Sequence, residues 1–274
     1  MRRLMSTLLL ALVCGCAPDV FKEDERLATT VDLLSMGEGE SVSPAPGDRS
    51  PSGVVSNGFW PNGFWPNGFW PNALRPDSIP STSLRALRVQ ALEGAVSRDF
   101  IRYAVGCALD RSQAVELDGP DGAAEHRGEV GLAPEWVDGP LSPVKQRWVS
   151  ACIAARTNYF GVRVMLSMRS QGSAQLAAGP EERGAFASKE GAFWGNLFSE
   201  TPALYTCHVP DNLERSRARS RSCATGHDTG SAVVGCGIIQ RTGDCSSVCR
   251  AAGDPAMGYA ACNGSTEVIT TFLE

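Results

Sequence analysis

Cysteine spacing constrains the fold of this chain more than any other feature. Of its ten cysteines, Cys14 and Cys16 lie at the N-terminus; the other eight are Cys107, Cys152, Cys207, Cys223, Cys236, Cys245, Cys249 and Cys262. So many thiols are unusual in a reduced cytosolic domain, and an even set of eight predicts an oxidising compartment and four disulfides. Spacing alone does not choose among the many connectivities open to eight cysteines. Six of the eight follow Thr206, so residues 207–274 are expected to form a cystine-rich C-terminal subdomain.

Export to such a compartment needs a signal. Met1-Arg2-Arg3 is a short basic region, and Leu4 to Val13 is an apolar run broken only by Ser6 and Thr7. That is the organisation of a secretory signal, too short to span a bilayer as a finished helix. It ends in Leu12-Val13-Cys14-Gly15-Cys16. These residues resemble the lipobox of bacterial lipoproteins, with Cys14 standing where Ala or Ser is usual. The resemblance implies cleavage after Gly15, a diacylglyceryl thioether on Cys16 and an acylated new N-terminus. Each buried methylene contributes about 0.8 kcal/mol, and two or three chains hold far better than one. Ala17 after the cysteine, rather than Asp, implies the outer membrane, facing the periplasm or the cell surface. An ordinary signal peptide cut at a small residue is the alternative. No apolar run reaches the roughly 18 residues of a membrane-spanning helix. The formal charge of -5 offers no basic excess for nucleic acid.

Residues 16–82 read as a disordered tether. Met36 to Gly53 is rich in Ser, Pro, Gly and acids and has no periodicity. Within the tether, residues 57–72 repeat Asn-Gly-Phe-Trp-Pro three times and close on Asn72. A period of five fits neither helix nor strand, and Pro followed by Asn-Gly is turn chemistry. Each unit is therefore expected to be a turn presenting an aromatic pair: Phe59 and Trp60, Phe64 and Trp65, Phe69 and Trp70. In water these six side chains would form a large apolar patch, which suggests docking on the domain, at lipid headgroups, or on a partner such as an envelope glycan or protein. Replication slippage in a tolerant spacer produces the same pattern.

Residues 83–206 read as an α+β domain: two amphipathic helices with short antiparallel strands, stabilised by disulfides. Ser81-Thr82-Ser83 can cap a helix beginning at Leu84, whose apolar stripe runs through Val89, Leu92, Val96, Phe100, Tyr103 and Cys107. Strands are expected at Ala114–Leu117 and from about Arg127 to Leu132. Ser142-Pro143 starts a second helix with a stripe of Val144, Trp148, Ala151, Cys152 and Ala155. Cys107 and Cys152 lie on the two stripes, which favours a bond between them. A strand is expected from Val162 to Met168, then a short helix and a packed loop over 180–198. Further strands are expected at Ala232–Gln240 and Glu267–Leu273, and Cys245–Cys249 fits one helical turn. The folded region resembles uncharacterised lipoproteins of myxobacterial type through Gly131-Leu132-Ala133-Pro134-Glu135-Trp136, Gln146-Arg147-Trp148-Val149-Ser150-Ala151-Cys152 and the segment Glu190 to Phe198. That resemblance implies location and class, and no activity.

Candidate chemistry is sparse. Asp228-Thr229-Gly230 matches the aspartic-protease triplet, but no apolar strand precedes it and no second copy occurs; a surface turn is the simpler reading. His126, His208 and His227 are the only histidines. Cys207-His208, Cys223-x3-His227 and Cys245-x3-Cys249 have the look of metal-ligand spacing, yet disulfides explain these cysteines better, and no metal is expected. A Ser hydrolase lacks its nucleophile elbow, and no phosphate or dinucleotide loop implies a cofactor. Glu129 and Glu135 form the nearest thing to a carboxylate pair. Arg215, Arg217, Arg219 and Arg221 make a basic run, suited to anionic lipid or glycan and more simply read as a mobile loop. The expectation is a lipid-anchored binding or structural protein, with an envelope hydrolase near His227 and Asp228 as the alternative.

Overall fold

The computed structural model describes residues 81–92, 98–119, 122–160 and 164–274, and the backbone of 59–62, all within the unit Pro51–Glu274. The chain begins with strand β1 (Phe59–Asn62), helices α1 (Leu84–Leu92) and α2 (Arg98–Ala108), and the hairpin β2 (Ala114–Gly119) and β3 (Gly122–Arg127). Helix α3 (Pro143–Arg156), strand β4 (Val164–Arg169), helix α4 (Pro180–Ala185) and strands β5 (Ser188–Asn196) and β6 (Ala203–His208) follow. The remainder comprises α5 (Leu213–Ala218), α6 (Ser222–Thr225), β7 (His227–Asp228), β8 (Val233–Val234), β9 (Ile239–Asp244), α7 (Cys245–Val248), β10 (Cys249–Ala251), β11 (Tyr259–Cys262) and β12 (Ile269–Leu273). The class is α+β.

Six strands form one sheet in the order β1-β4-β12-β5-β6-β9. Neighbours are antiparallel except β6 and β9. Alternate residues of a strand point to opposite faces, and here both faces are covered. Leu166, Met168, Phe193, Leu204, Ile269 and Leu273 belong to the main core with α3. Ala192, Trp194, Cys207 and Val268 pack on the other side with Cys245 and Cys262. The result is a helical layer, a sheet and a cystine layer. Ser142 caps α3 through its hydroxyl, which accepts from Lys145 N at 3.4 Å, and Pro143 occupies the first turn.

Four disulfides join Cys107 to Cys152, Cys207 to Cys245, Cys223 to Cys236 and Cys249 to Cys262. The first ties α2 to α3, the pairing that the two apolar stripes favour. Among the described residues no helix is long and apolar enough to cross a membrane.

Several local expectations need correction. Val89 and Val144 are 48% and 46% exposed; Leu84 and Leu87 are the buried positions among the described side chains of α1, and α3 is buried on every side from Trp148 to Arg156. The second hairpin strand is Gly122–Arg127 rather than Arg127–Leu132. Residues 188–196, expected in a packed loop, are the inner strand β5. Its two covered faces leave no polar alternation to read, and Gly191 and Gly195 disguise it further. The expected strand at 232–240 divides into β8 and the start of β9. The boundary at 206/207 falls inside β6, and β12 lies between β4 and β5, so the two expected domains share one sheet.

The first aromatic unit also differs from expectation. Phe59–Asn62 is extended, not a turn, and pairs antiparallel with β4, Phe59 opposite Ser167 and Asn62 opposite Val164. Its place at the sheet edge suits Pro61, which has no N–H to donate. The side chains of Phe59 and Trp60 lie outside the described residues, as do Phe64, Trp65, Phe69, Trp70 and Cys16.

Candidate functional site

The residues singled out for catalysis are not brought into a reacting arrangement. His227 stacks on Tyr159, with ring centroids 3.8 Å apart, and meets Phe160 edge-on at 5.1 Å. Asp228 accepts from Gly230 N at 2.8 Å, the geometry of a surface turn, and its other oxygen lies 3.6 Å from Arg217 Nη1. Glu129 and Glu135 do not form a pair: Glu129 lies 2.7 Å from Arg156 Nη2 and Glu135 3.6 Å from Lys145 Nζ. The basic run is no loose loop. Arg215 and Arg219 bond Glu274 at 2.8 and 2.9 Å, Arg217 lies 3.4 Å from Glu214, and Arg221 is buried against Glu190.

The metal-like spacings resolve the same way. The sulfurs of Cys207, Cys249 and Cys262 lie within 4.8 Å of one another, and Cys207 Sγ is 3.5 Å from Cys249 Sγ. Each belongs to a disulfide, so none is a thiolate able to ligate. The cluster is two cystines packed together beneath the sheet.

His208, next to Cys207 on β6, has an Nδ1 that is buried without a partner. Burial holds its pKa below the ordinary 6.5, with Asp244 opposing the shift and Arg241 and Arg217 adding to it. The unfolded chain therefore takes up a proton at a pH where folded His208 still resists one. The corresponding stability is present above pH 6.5 and is lost as pH falls below it. Thermal melts should accordingly show a lower midpoint at pH 5.5 than at pH 7, with the difference reduced in His208→Gln. An unchanged difference in the variant would contradict this assignment.

Two cavities among the described residues bear on function. One, of about 230 Å³, lies against α2, β3 and the end of α3. The guanidinium groups of Arg102 and Arg156 sit 5.0 and 4.7 Å from the Tyr103 ring. Burial lowers the Arg156 pKa, with Glu129 pulling it back up. The lining acids are already used, Glu129 by Arg156 and Glu125 by Arg127 at 2.6 Å. His126 lines this cavity too.

The other is a groove of about 450 Å³, formed where the β5–β6 hairpin meets the turn after β11. Register places Trp194 opposite Tyr205, their rings stacked at 5.9 Å and 22°. Gly195 follows with φ +130, and a Cβ there would collide with the Ala203 carbonyl oxygen, so the hairpin closes only around glycine. Asn196 donates to Gln146 at 3.1 Å and accepts from Phe198 N at 2.8 Å, which fixes the floor to α3. The facing wall is the turn Cys262–Ser265, whose ends exchange backbone hydrogen bonds of 2.9 Å. Asn263 and Gly264 sit at φ +46 and +81, the positive pair that a type I′ turn requires. The Cys249–Cys262 bond anchors this wall. Arg147 reaches in from α3 with its Nε 2.6 Å from Glu267 Oε2. Burial raises the Glu267 pKa, but the Arg147 bond and charge outweigh it and hold that carboxyl below its usual value.

What distinguishes the groove is its unused polar atoms. Ser265 Oγ is buried with no hydrogen-bond partner in the protein. Among the described residues, none hydrogen-bonds Trp194 Nε1, Tyr205 Oη or the side-chain amide of Asn263, whose backbone N–H donates to Val248 O at 2.9 Å. Sequence reasoning missed this site. Asn263-Gly264 was the available signal for its wall, but nothing in the sequence places that turn beside Trp194. Comparison with protein-family models, curated proteins and solved structures finds no match.

Proposed function

We propose that this protein is a lipid-anchored component of a bacterial cell envelope, held by acyl chains on Cys16, whose cystine-braced domain acts as a binding module. The observation that carries the binding role is the groove, which Trp194 and Tyr205 line from one wall and Asn263 from the other, with polar side-chain atoms that have no partner among the described residues. The lipid anchor rests on Leu12 to Cys16, and the four disulfides suit an oxidising compartment facing the periplasm or surface. The aromatic repeat is a second contact element on sequence grounds. A hydrolase near His227 and Asp228 is the weaker reading, because the His227 ring is held between Tyr159 and Phe160 and hydrogen-bonds no nucleophile.

Two variants of the full chain test this reading. Cys16→Ser should move the protein from the membrane fraction to the soluble one; continued membrane retention would overturn the lipid anchor. The released protein should then sediment with washed cell envelopes, and Ala203→Trp should weaken this by filling the groove from the Tyr205 side of β6. Failure of the released protein to sediment, or sedimentation indifferent to Ala203→Trp, would overturn the binding role.

A further inference from the structure

We infer that the occupant of this groove is a neutral oligosaccharide. The inference rests on the binding-module reading and specifies its ligand. The uncharged groups that line the groove without a partner are a phenol, a primary amide and an indole N–H, at Tyr205, Asn263 and Trp194. Together they mix donors with acceptors at short intervals. A sugar presents the same mixture around its ring, each hydroxyl donating and accepting. Its C–H faces suit an aromatic side chain, and half-buried Tyr205 is held rigid for that contact by the stacked Trp194.

Charge argues against an anionic ligand. Among the described residues Arg147 is the one ionic residue lining the groove, and its charge is balanced by Glu267, whose Oε2 lies 2.6 Å from Arg147 Nε. The arginine-lined cavity against α2 is the opposite case, ionic and smaller. Topology argues against a peptide added as a strand, because β5 already pairs with β12 and β6, and β6 with β5 and β9. β12 covers β5 as far as Phe193 and β9 covers β6 from Leu204, so only Trp194–Asn196 and Ala203 lack a strand on one side, too few residues to seat a peptide strand. The groove volume of about 450 Å³ lies within the range of small-ligand sites, about 300–1,000 Å³. It is open rather than enclosed, which suits a chain that enters and leaves.

The test uses the full chain carrying Cys16→Ser. Short oligosaccharides of glucose, mannose and N-acetylglucosamine are titrated by calorimetry, with a polyuronate and an Ala-Glu-Lys peptide alongside. At least one neutral oligosaccharide should bind saturably at one site and should displace the protein from envelopes. Tyr205→Ala should weaken that binding at least tenfold, and Ala203→Trp should abolish it. Circular dichroism confirms that each variant is folded. Groove-dependent sedimentation displaced only by the peptide or the polyuronate would overturn the saccharide while leaving the binding module intact. Saccharide binding unaffected by Ala203→Trp would overturn the assignment to this groove.

Discussion

Replacing Glu190 with Leu should lower the stability of the domain by about 3–5 kcal/mol, the usual cost of leaving one member of a buried ion pair without its partner. Arg221 and Glu190 are 1% and 0% exposed. Arg221 Nη2 donates to Glu190 Oε2 at 2.9 Å, and Nε lies 3.2 and 3.3 Å from the two oxygens. Arg221 Nη1 donates to Thr157 O at 3.1 Å, and Ser216 Oγ donates to Glu190 Oε1 at 2.7 Å. The network joins β5, the segment after α5 and the C-terminal end of α3. Without the carboxylate, the guanidinium keeps its burial and loses its counter-charge. Arg221→Met should be similarly costly, because it strands the carboxylate. The double variant should lose much less than the two single losses added together, since no unpaired charge remains. Urea unfolding with an unchanged slope measures all three. A strictly additive double variant would show that the pair is not coupled.

That network marks the limit of what this sequence reveals. Arg221 closes an alternation of arginines with small residues, a pattern that belongs to solvated loops. Its partner lies 31 residues earlier, within a stretch whose glycines and aromatics hide a strand. Period and spacing report only local geometry, so they found α3 with its start at Ser142-Pro143, β4 and the Cys107–Cys152 bond. All of these depend on residues close in sequence or on shared helical stripes. They could not find β5, which is covered on both faces and carries no alternation. The groove was illegible for the same reason. Its walls come from Arg147, the β5–β6 hairpin and the Asn263 turn, which only the assembled sheet brings together. The cysteine count foretold four bonds; the pairing of the three within residues 207–274 required the fold.

The Cys107–Cys152 bond is the second place where a large effect is expected. Replacing both residues with Ala should cost about 4 kcal/mol, because the bond closes a loop of 45 residues, against about 3 kcal/mol for either 13-residue loop. Cys207–Cys245 closes 38 residues, and loop length alone barely separates it from the first. The two differ in what they hold. Cys207–Cys245, Cys223–Cys236 and Cys249–Cys262 all lie within residues 207–274, whereas Cys107–Cys152 alone joins α2 to α3. In the double variant, amide exchange should accelerate first in α2 and in the β2–β3 hairpin, while β5, β6 and β12 keep their protection. Loss of Cys207–Cys245 should instead expose the cystine layer beneath Trp194 and weaken groove-dependent binding. If removing Cys107–Cys152 loosened the groove before α2, the helical layer would be supporting the site across the sheet, and the division into layers would not be the division of stability.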